Sequence, residues 1–216
     1  MDSIIVFGAG GRAGRQVVAE AVSRGHRVTA VVRDAVRHRD LAAPAVTVAE
    51  GDITSVGDVA RLSAGHRAVV HAAARTDVPA DSFFPVAGRA LVEGLPVAGV
   101  NRLVVIGIGT VLETAPGVAV HDAPGFPAEG RAFSRGHAAQ LDVLRGAVGV
   151  DWVVLAPPPV LLDDAAPRTG RYRTGGHQLL SGGPDPAAFS YADLAVAVVD
   201  EIDSPRHHRT LVAVGW

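Results

Sequence analysis

The chain of 216 residues contains no cysteine and no lysine. Lack of cysteine excludes disulfides, thiolate zinc sites, iron–sulfur clusters and thiol nucleophiles. Lack of lysine excludes Schiff-base chemistry and any phosphate-loop lysine. All 20 basic side chains are therefore arginine, whose planar and permanent charge suits phosphate clamping. The formal charge of −2 supplies no global basic field, so no nucleic-acid partner is expected. No run of about 18 apolar residues occurs, so no membrane-spanning helix is expected. Met1–Asp2–Ser3 enters a strand-like run without a basic n-region or cleavage site, which points to a cytoplasmic protein. Histidine and carboxylate spacings suited to a metal lack supporting context, so no metal is expected.

What is present is apolar: 48% hydrophobic against 19% charged residues, the balance of a chain with a sizeable core rather than a disordered one. Continuous β-branched runs at Ser3–Phe7, Arg27–Val32, Ala45–Ala49, Ala68–Ala73, Leu103–Ile106, Asp151–Ala156 and Thr210–Val214 read as strands buried on both faces. Helical stretches fall between them at Gly11–Arg24, Val56–Ser63, Ser82–Ala98, Phe133–Arg145 and Ser190–Ile202. The alternation predicts an α/β fold, a Rossmann-type doubly wound parallel sheet with helices on both faces. Residues 1–216 are expected to form a single domain. A small C-terminal substrate lobe is expected from segments near 107–127 and 157–190, which are rich in Gly, Pro and polar residues. The cluster Arg206–Arg209, with its two histidines, reads as a solvated turn.

The strongest local signal is IIVFGAGGRAG at residues 4–14. Gly8, Gly10, Gly11 and Gly14 lie between a strand and an amphipathic helix, together with Arg12 and Ala13. Such a loop lets backbone approach a pyrophosphate, while the helix N-terminus offers unpaired N–H groups and partial positive charge. The second strand ends in Arg33, suited to a 2′-phosphate, with Arg12 able to join it. Each also has an ordinary reading as a solvated surface arginine. Arg33 favours NADP, and the adjacent Asp34 keeps NAD open. Asp52 and Ile53 follow the third strand and could line the adenine. Ala73 and Ala74 follow the fourth, where small residues admit a nicotinamide ribose. Loop packing is the alternative for all four.

These blocks, with RLVVIGIGTVLE, HAAQLDVLR, DWVVLAPP, RTGRYRTGG and FSYADLAVAVVDEID, resemble the atypical short-chain dehydrogenase/reductase proteins. Within these, the chain is similar to the NAD(P)H-binding group that includes NmrA-like and NADH-flavin reductase proteins, with biliverdin reductase B-like proteins more distant. The resemblance implies a Rossmann-type domain and reduction of flavins or similar planar acceptors by NAD(P)H. It puts Thr110 in the position of a serine after the fifth strand, and His137 at a histidine near the start of the next helix. A further histidine of the biliverdin-reductase-like proteins is replaced here by Pro159. The tyrosine–lysine pair of standard members cannot exist in this chain.

Thr110 and His137 are thus the catalytic candidates: Thr110 as a hydrogen-bond donor to the nicotinamide or acceptor, His137 as a proton donor near its ordinary pKa of about 6.5. A loop hydroxyl bonded to backbone and a packed or solvated histidine are the alternatives. His71, inside a strand, reads either as a core histidine or as a cofactor contact. Phe126, Pro158, Pro159 and Tyr172 are expected to form an apolar platform for the acceptor. The wall around it would come from Gly107–Phe126, Pro157–Leu162 and Arg168–Gly183, with Arg171 and Arg173 receiving an anionic acceptor. The expected function is hydride transfer from NADPH to a flavin, quinone or similar small planar acceptor, by a monomer or homodimer. The alternatives are a tailoring enzyme for a polyketide-like aromatic substrate and a non-catalytic NADP-sensing regulator.

Overall fold

The computed structural model describes residues 2–160, 162–163, 165–182 and 189–216. Leu161, Asp164 and residues 183–188, which the expected substrate lobe includes, lie outside them. The first half of the chain runs β1 (Ser3–Phe7), α1 (Arg12–Ser23), β2 (Arg27–Val32), β3 (Val46–Glu50), α2 (Val56–Ser63), β4 (Ala68–His71), α3 (Ala80–Ala98) and β5 (Arg102–Ile106). The second half runs β6 (Glu113–Ala115), β7 (Val118–Ala119), α4 (Ala128–Arg145), β8 (Asp151–Ala156), β9 (Arg173–Thr174), α5 (Tyr191–Asp203) and β10 (Thr210–Gly215). Eight strands form one sheet in the order β3-β2-β1-β4-β5-β8-β10-β9. All pairs are parallel except the edge pair β10–β9. This is the expected Rossmann-type doubly wound sheet.

Strand pleating sorts the apolar residues into two cores. Ile4 and Val6 of β1 face α1 and α5, packing with Val17, Val18, Leu194 and Val198. Ile5 and Phe7 face α2, α3 and α4, packing with Val59, Phe84, Leu91 and Leu141. A strand flanked on both sides must be apolar at consecutive positions, which explains the unbroken run Ile4–Phe7. Ser55 caps α2 by accepting from the Asp58 amide at 3.2 Å, and Ser190 caps α5 by accepting from the Asp193 amide at 3.0 Å.

Two segments depart from expectation. Helix α4 begins at Ala128, not Phe133, because Pro127 closes the preceding loop and Glu129 supplies first-turn negative charge. His137 therefore lies well inside the helix. The stretch 107–127 contains a small antiparallel pair, β6–β7, rather than loop alone. It meets the C-terminal segment where Glu113 donates to the His177 carbonyl and accepts from the Leu179 amide. The turn before β10 is solvated as expected, with Arg206, His208 and Arg209 exposed, and it is also anchored: His207 Nδ1 is 2.7 Å from Glu201 Oε1, and buried Glu201 also accepts from buried Arg102 at 2.8 Å. A buried charge of this kind must be paired, and here the pair ties α5 to β5.

The segment before α5 is strapped to the sheet's helices. Fully buried Asp193 accepts from the Thr169 amide at 2.8 Å, the Gly170 amide at 2.7 Å and the Thr169 hydroxyl at 2.9 Å. Arg168 forms a bidentate pair with buried Glu20 of α1 at 2.8 and 2.9 Å. Among the described residues, no helix is long and apolar enough to cross a membrane.

Candidate active site

Strand order reverses between β1 and β4, the position at which open α/β sheets leave a crevice beyond the strand ends. A cavity of about 660 Å³ lies there. On one side stands the glycine loop. Gly8 has φ +83°, a left-handed conformation that disfavours side chains, and a Cβ on it would stand 2.4 Å from the Ala73 amide nitrogen. Gly8, Gly10, Gly11, Arg12 and Ala13 line the cavity. Helix α1 starts at Arg12 with Gly11 as N-cap, no capping side chain and no acidic residue in its first turn. The first-turn N–H groups have no intrahelical acceptors, so they and the helix dipole suit an anion. Gly14 does not line the cavity. A Cβ there would stand 2.1 Å from the Gly8 carbonyl oxygen, so Gly14 lets α1 pack against the loop. That is a correction to its expected direct contact with cofactor.

Arg33, Asp52, Ile53, Ala73 and Ala74 all line the same side. Asp34 does not. Its Oδ1 accepts from the Val36 and Arg37 amides, both at 3.1 Å, so the carboxylate is committed to its own turn. Arg33 approaches Asp77 at 3.4 Å, and Arg75 grips the same carboxylate through Nε at 2.9 Å and a second nitrogen at 2.5 Å. These arginines hold the Asp77 carboxyl well below the usual carboxylate range. The Arg12 guanidinium lies 5.6 Å from the Tyr191 ring centroid, within cation–π range.

The opposite side is apolar with few polar groups. Phe126, Phe133, Pro158 and Pro159 line it, with Thr110, Ser134 and His137. Thr110 Oγ1 is 2.8 Å from Ser134 Oγ, which donates to the Gly130 carbonyl at 2.8 Å. With the Ser134 proton so engaged, Thr110 donates to Ser134 and turns its lone pairs to the cavity. The expected donor is therefore an acceptor. His121 Nδ1 lies 2.7 Å from the Thr110 carbonyl oxygen and braces that turn from behind.

The His137 ring sits 3.7 Å from the Phe84 ring centroid and 5.0 Å from that of Phe133. Burial, with neighbouring His71 adding to it, pushes the His137 pKa down to about 3. Burial alone lowers His71 to about 4. Both imidazoles are neutral near pH 7, which removes His137 as an imidazolium proton donor. His71 accepts from the Ala73 amide at 3.2 Å through Nδ1 and does not line the cavity.

A family model described as NAD(P)H-binding matches residues 8–205, which carry six of the eight sheet strands and every residue lining the crevice but Phe7. The chain belongs to the NAD(P)H-binding family. It is 33% identical over 208 residues to the uncharacterized protein YwnB of Bacillus subtilis (strain 168), spanning 94% of this chain and 92% of that one. Among solved structures, a "putative exported protein" from Burkholderia pseudomallei is 32% identical, covers both chains fully and has a TM-score of 0.87. A "putative epimerase" from Bacteroides thetaiotaomicron is 28% identical, with 100% and 97% coverage and a TM-score of 0.86. A "putative NADH-flavin reductase" from Streptococcus pneumoniae TIGR4 is 25% identical, with 100% and 99% coverage and a TM-score of 0.79.

The crevice brings together every expected glycine-loop, strand-end, catalytic and platform residue except Gly14 and Tyr172. Tyr172 donates to Asp200 at 2.5 Å, and burial with that carboxylate raises its pKa. It packs against the α1–α5 side of the sheet, so it forms no acceptor platform. Tyr191, at the start of α5, lines the cavity instead. Arg171 and Arg173 do not reach the cavity either; Arg173 donates to the Ser181 and Trp216 carbonyls. Sequence reasoning missed His38, Arg75 and Ser134, all of which line the crevice. The His38 ring occupies the space where a side chain at residue 10 would stand, a placement set by the turn after β2 and carried by no local motif.

Proposed function

We propose that the protein is an NADPH-dependent reductase that passes a hydride to a small planar acceptor. The observation carrying this reading is the union, in one crevice, of an uncapped helix N-terminus behind a glycine loop and an aromatic, proline-walled chamber. The residues present fit a dinucleotide. Main-chain N–H groups at Arg12 and Ala13 would hold the diphosphate, and Arg33 with Arg75 would hold a 2′-phosphate. Commitment of Asp34 to its own turn favours NADPH over NADH, because the carboxylate that would take a ribose 2′-hydroxyl is engaged elsewhere. The family's nicotinamide, when bound, supplies the hydride.

The chain's own residues then orient and enclose. Thr110 offers lone pairs suited to a carboxamide N–H. Phe126, Phe133 and the Pro158–Pro159 wall exclude water and stack a flat ring, so proximity supplies most of the effect. Neutral His137 forms a polar edge to the chamber without delivering a proton, and the proton that completes reduction comes from solvent. Absence of lysine removes the tyrosine–lysine route to alcohol oxidation. The test is NADPH oxidation followed at its near-ultraviolet absorbance with menadione and riboflavin as acceptors, after a fluorescence titration of NADPH. Binding with turnover supports the proposal. Tight NADPH binding with no turnover by either acceptor favours a nucleotide sensor.

A further inference from the structure

Charge is distributed unequally in the crevice. Among the described residues, the charged ones lining it, namely Arg12, Arg33, Asp52 and Arg75, come from the head of α1 and the loops after β2 to β4. His38 belongs to the same side. The acceptor side, built from the loops after β5 and β8 and from α4, is lined by no Arg, Asp or Glu among the described residues. The residues of the acceptor-side segments outside the described set (Leu161, Asp164 and 183–188) include no arginine, so they add no cation by composition.

The nearest candidate cations are spent or turned away. Arg131 donates to the His121 carbonyl at 2.7 Å and the Phe126 carbonyl at 3.1 Å, and its guanidinium lies over the Phe126 ring. Arg135, Arg171 and Arg173 are exposed and do not line the cavity. His137 is neutral across the physiological range because of its burial. An anionic group entering this chamber would lose water and gain no counter-charge, which is costly for phosphate, sulfonate or carboxylate alike.

We infer that the acceptor is an uncharged conjugated ring system, a quinone or a flavin lacking its phosphate, and that this chamber discriminates against anionic forms of the same ring. The inference rests on the reductase reading and narrows its substrate class. The acceptor gains a hydride at a ring carbon or nitrogen and a proton from water at its oxygen or second nitrogen. Two electrons and two protons thus convert quinone to hydroquinone or flavin to dihydroflavin, while the dinucleotide is oxidised. No charged side chain among the described residues of the acceptor side takes part.

Two matched pairs test this: riboflavin against FMN, and 1,4-naphthoquinone against its 2-sulfonate. Within each pair the ring is shared and the anion differs. NADPH oxidation under anaerobic conditions gives kcat/KM, and fluorescence quenching on the NADP⁺-loaded protein gives binding without turnover. The neutral member is expected to win by at least about tenfold in both readouts, since the anion must be desolvated unpaired. For the quinones this preference should hold although the sulfonate is the stronger oxidant. The variant Val160→Arg adds a cation at a half-exposed rim position and should move FMN toward parity with riboflavin. Equal or better use of the anionic member in both readouts overturns the inference and leaves the reductase reading standing. NADPH binding with no binding or turnover of all four compounds overturns both.

Discussion

Replacing Arg33 with alanine should separate the two nicotinamide dinucleotides. The Arg33 side chain is 56% exposed and its present partner, Asp77, 54% exposed, so the existing pair is weak. A charge-assisted bond to a phosphate contributes about 1.5–3 kcal/mol, and at this exposure screening trims it to about 1–2 kcal/mol. That corresponds to a loss of about 5- to 30-fold in NADPH affinity, with NADH changed by less than about twofold. The assay is fluorescence titration of both reduced cofactors at low and high salt. The gap between wild type and R33A should shrink as salt rises, because a surface charge pair is screened over about 8–10 Å. Equal losses for NADPH and NADH would refute the assignment of the 2′-phosphate to Arg33. So would a salt-independent gap.

Asp77→Asn should tighten NADPH by about two- to fivefold and leave NADH unchanged, since the carboxylate competes for Arg33 and Arg75; weaker NADPH binding in the same titration contradicts this. Thr110→Val should lower kcat/KM by about 5- to 10-fold with little change in melting temperature, through loss of one hydrogen bond to bound ligand; an unchanged rate returns the hydroxyl to a purely structural bond with Ser134. Gly14→Ala should cost about 1–3 kcal/mol of stability in chemical denaturation, because its Cβ meets main-chain atoms of Gly8 and Ala9; wild-type stability would show that α1 can shift without loss. His71 and His137 are held neutral when folded, at about 4 and about 3, whereas the unfolded chain protonates them near 6.5. The stability they contribute is therefore full above pH 6.5 and is lost as pH falls toward those values, by up to about 1.4 kcal/mol per pH unit for each. Melting temperature should drop between pH 6.5 and 5, and His137→Phe should flatten the slope; an unchanged slope in that variant contradicts the burial of a neutral imidazole.

The fold was largely legible because a parallel sheet covered on both faces demands apolar residues without alternation. Ile4–Phe7 and Ala68–Val70 announce themselves for that reason. The glycine loop was legible because Gly8 and Gly14 answer local steric demands that any sequence reader can recognise. The acceptor side was less so. Thr110 and Ser134 are 24 residues apart and meet only because α4 packs beside the loop after β5, so the direction of the Thr110 proton lay outside local pattern. Tyr172 and Tyr191 both sit near the expected lobe. Which of them faces the crevice is decided by Asp200 and the strap on Asp193, contacts made across the fold. The start of α4 did carry a signal, Pro127 followed by Glu129, overshadowed by the apolar stripe that begins at Phe133.

The account stands on main-chain amides at the head of α1 receiving a diphosphate. A ¹H–¹⁵N NMR titration with NADPH observes those groups directly. The backbone resonances of Arg12 and Ala13 should shift most, saturating at one cofactor per chain. Saturating NADPH that leaves those two resonances in place, whatever moves elsewhere, would contradict the account.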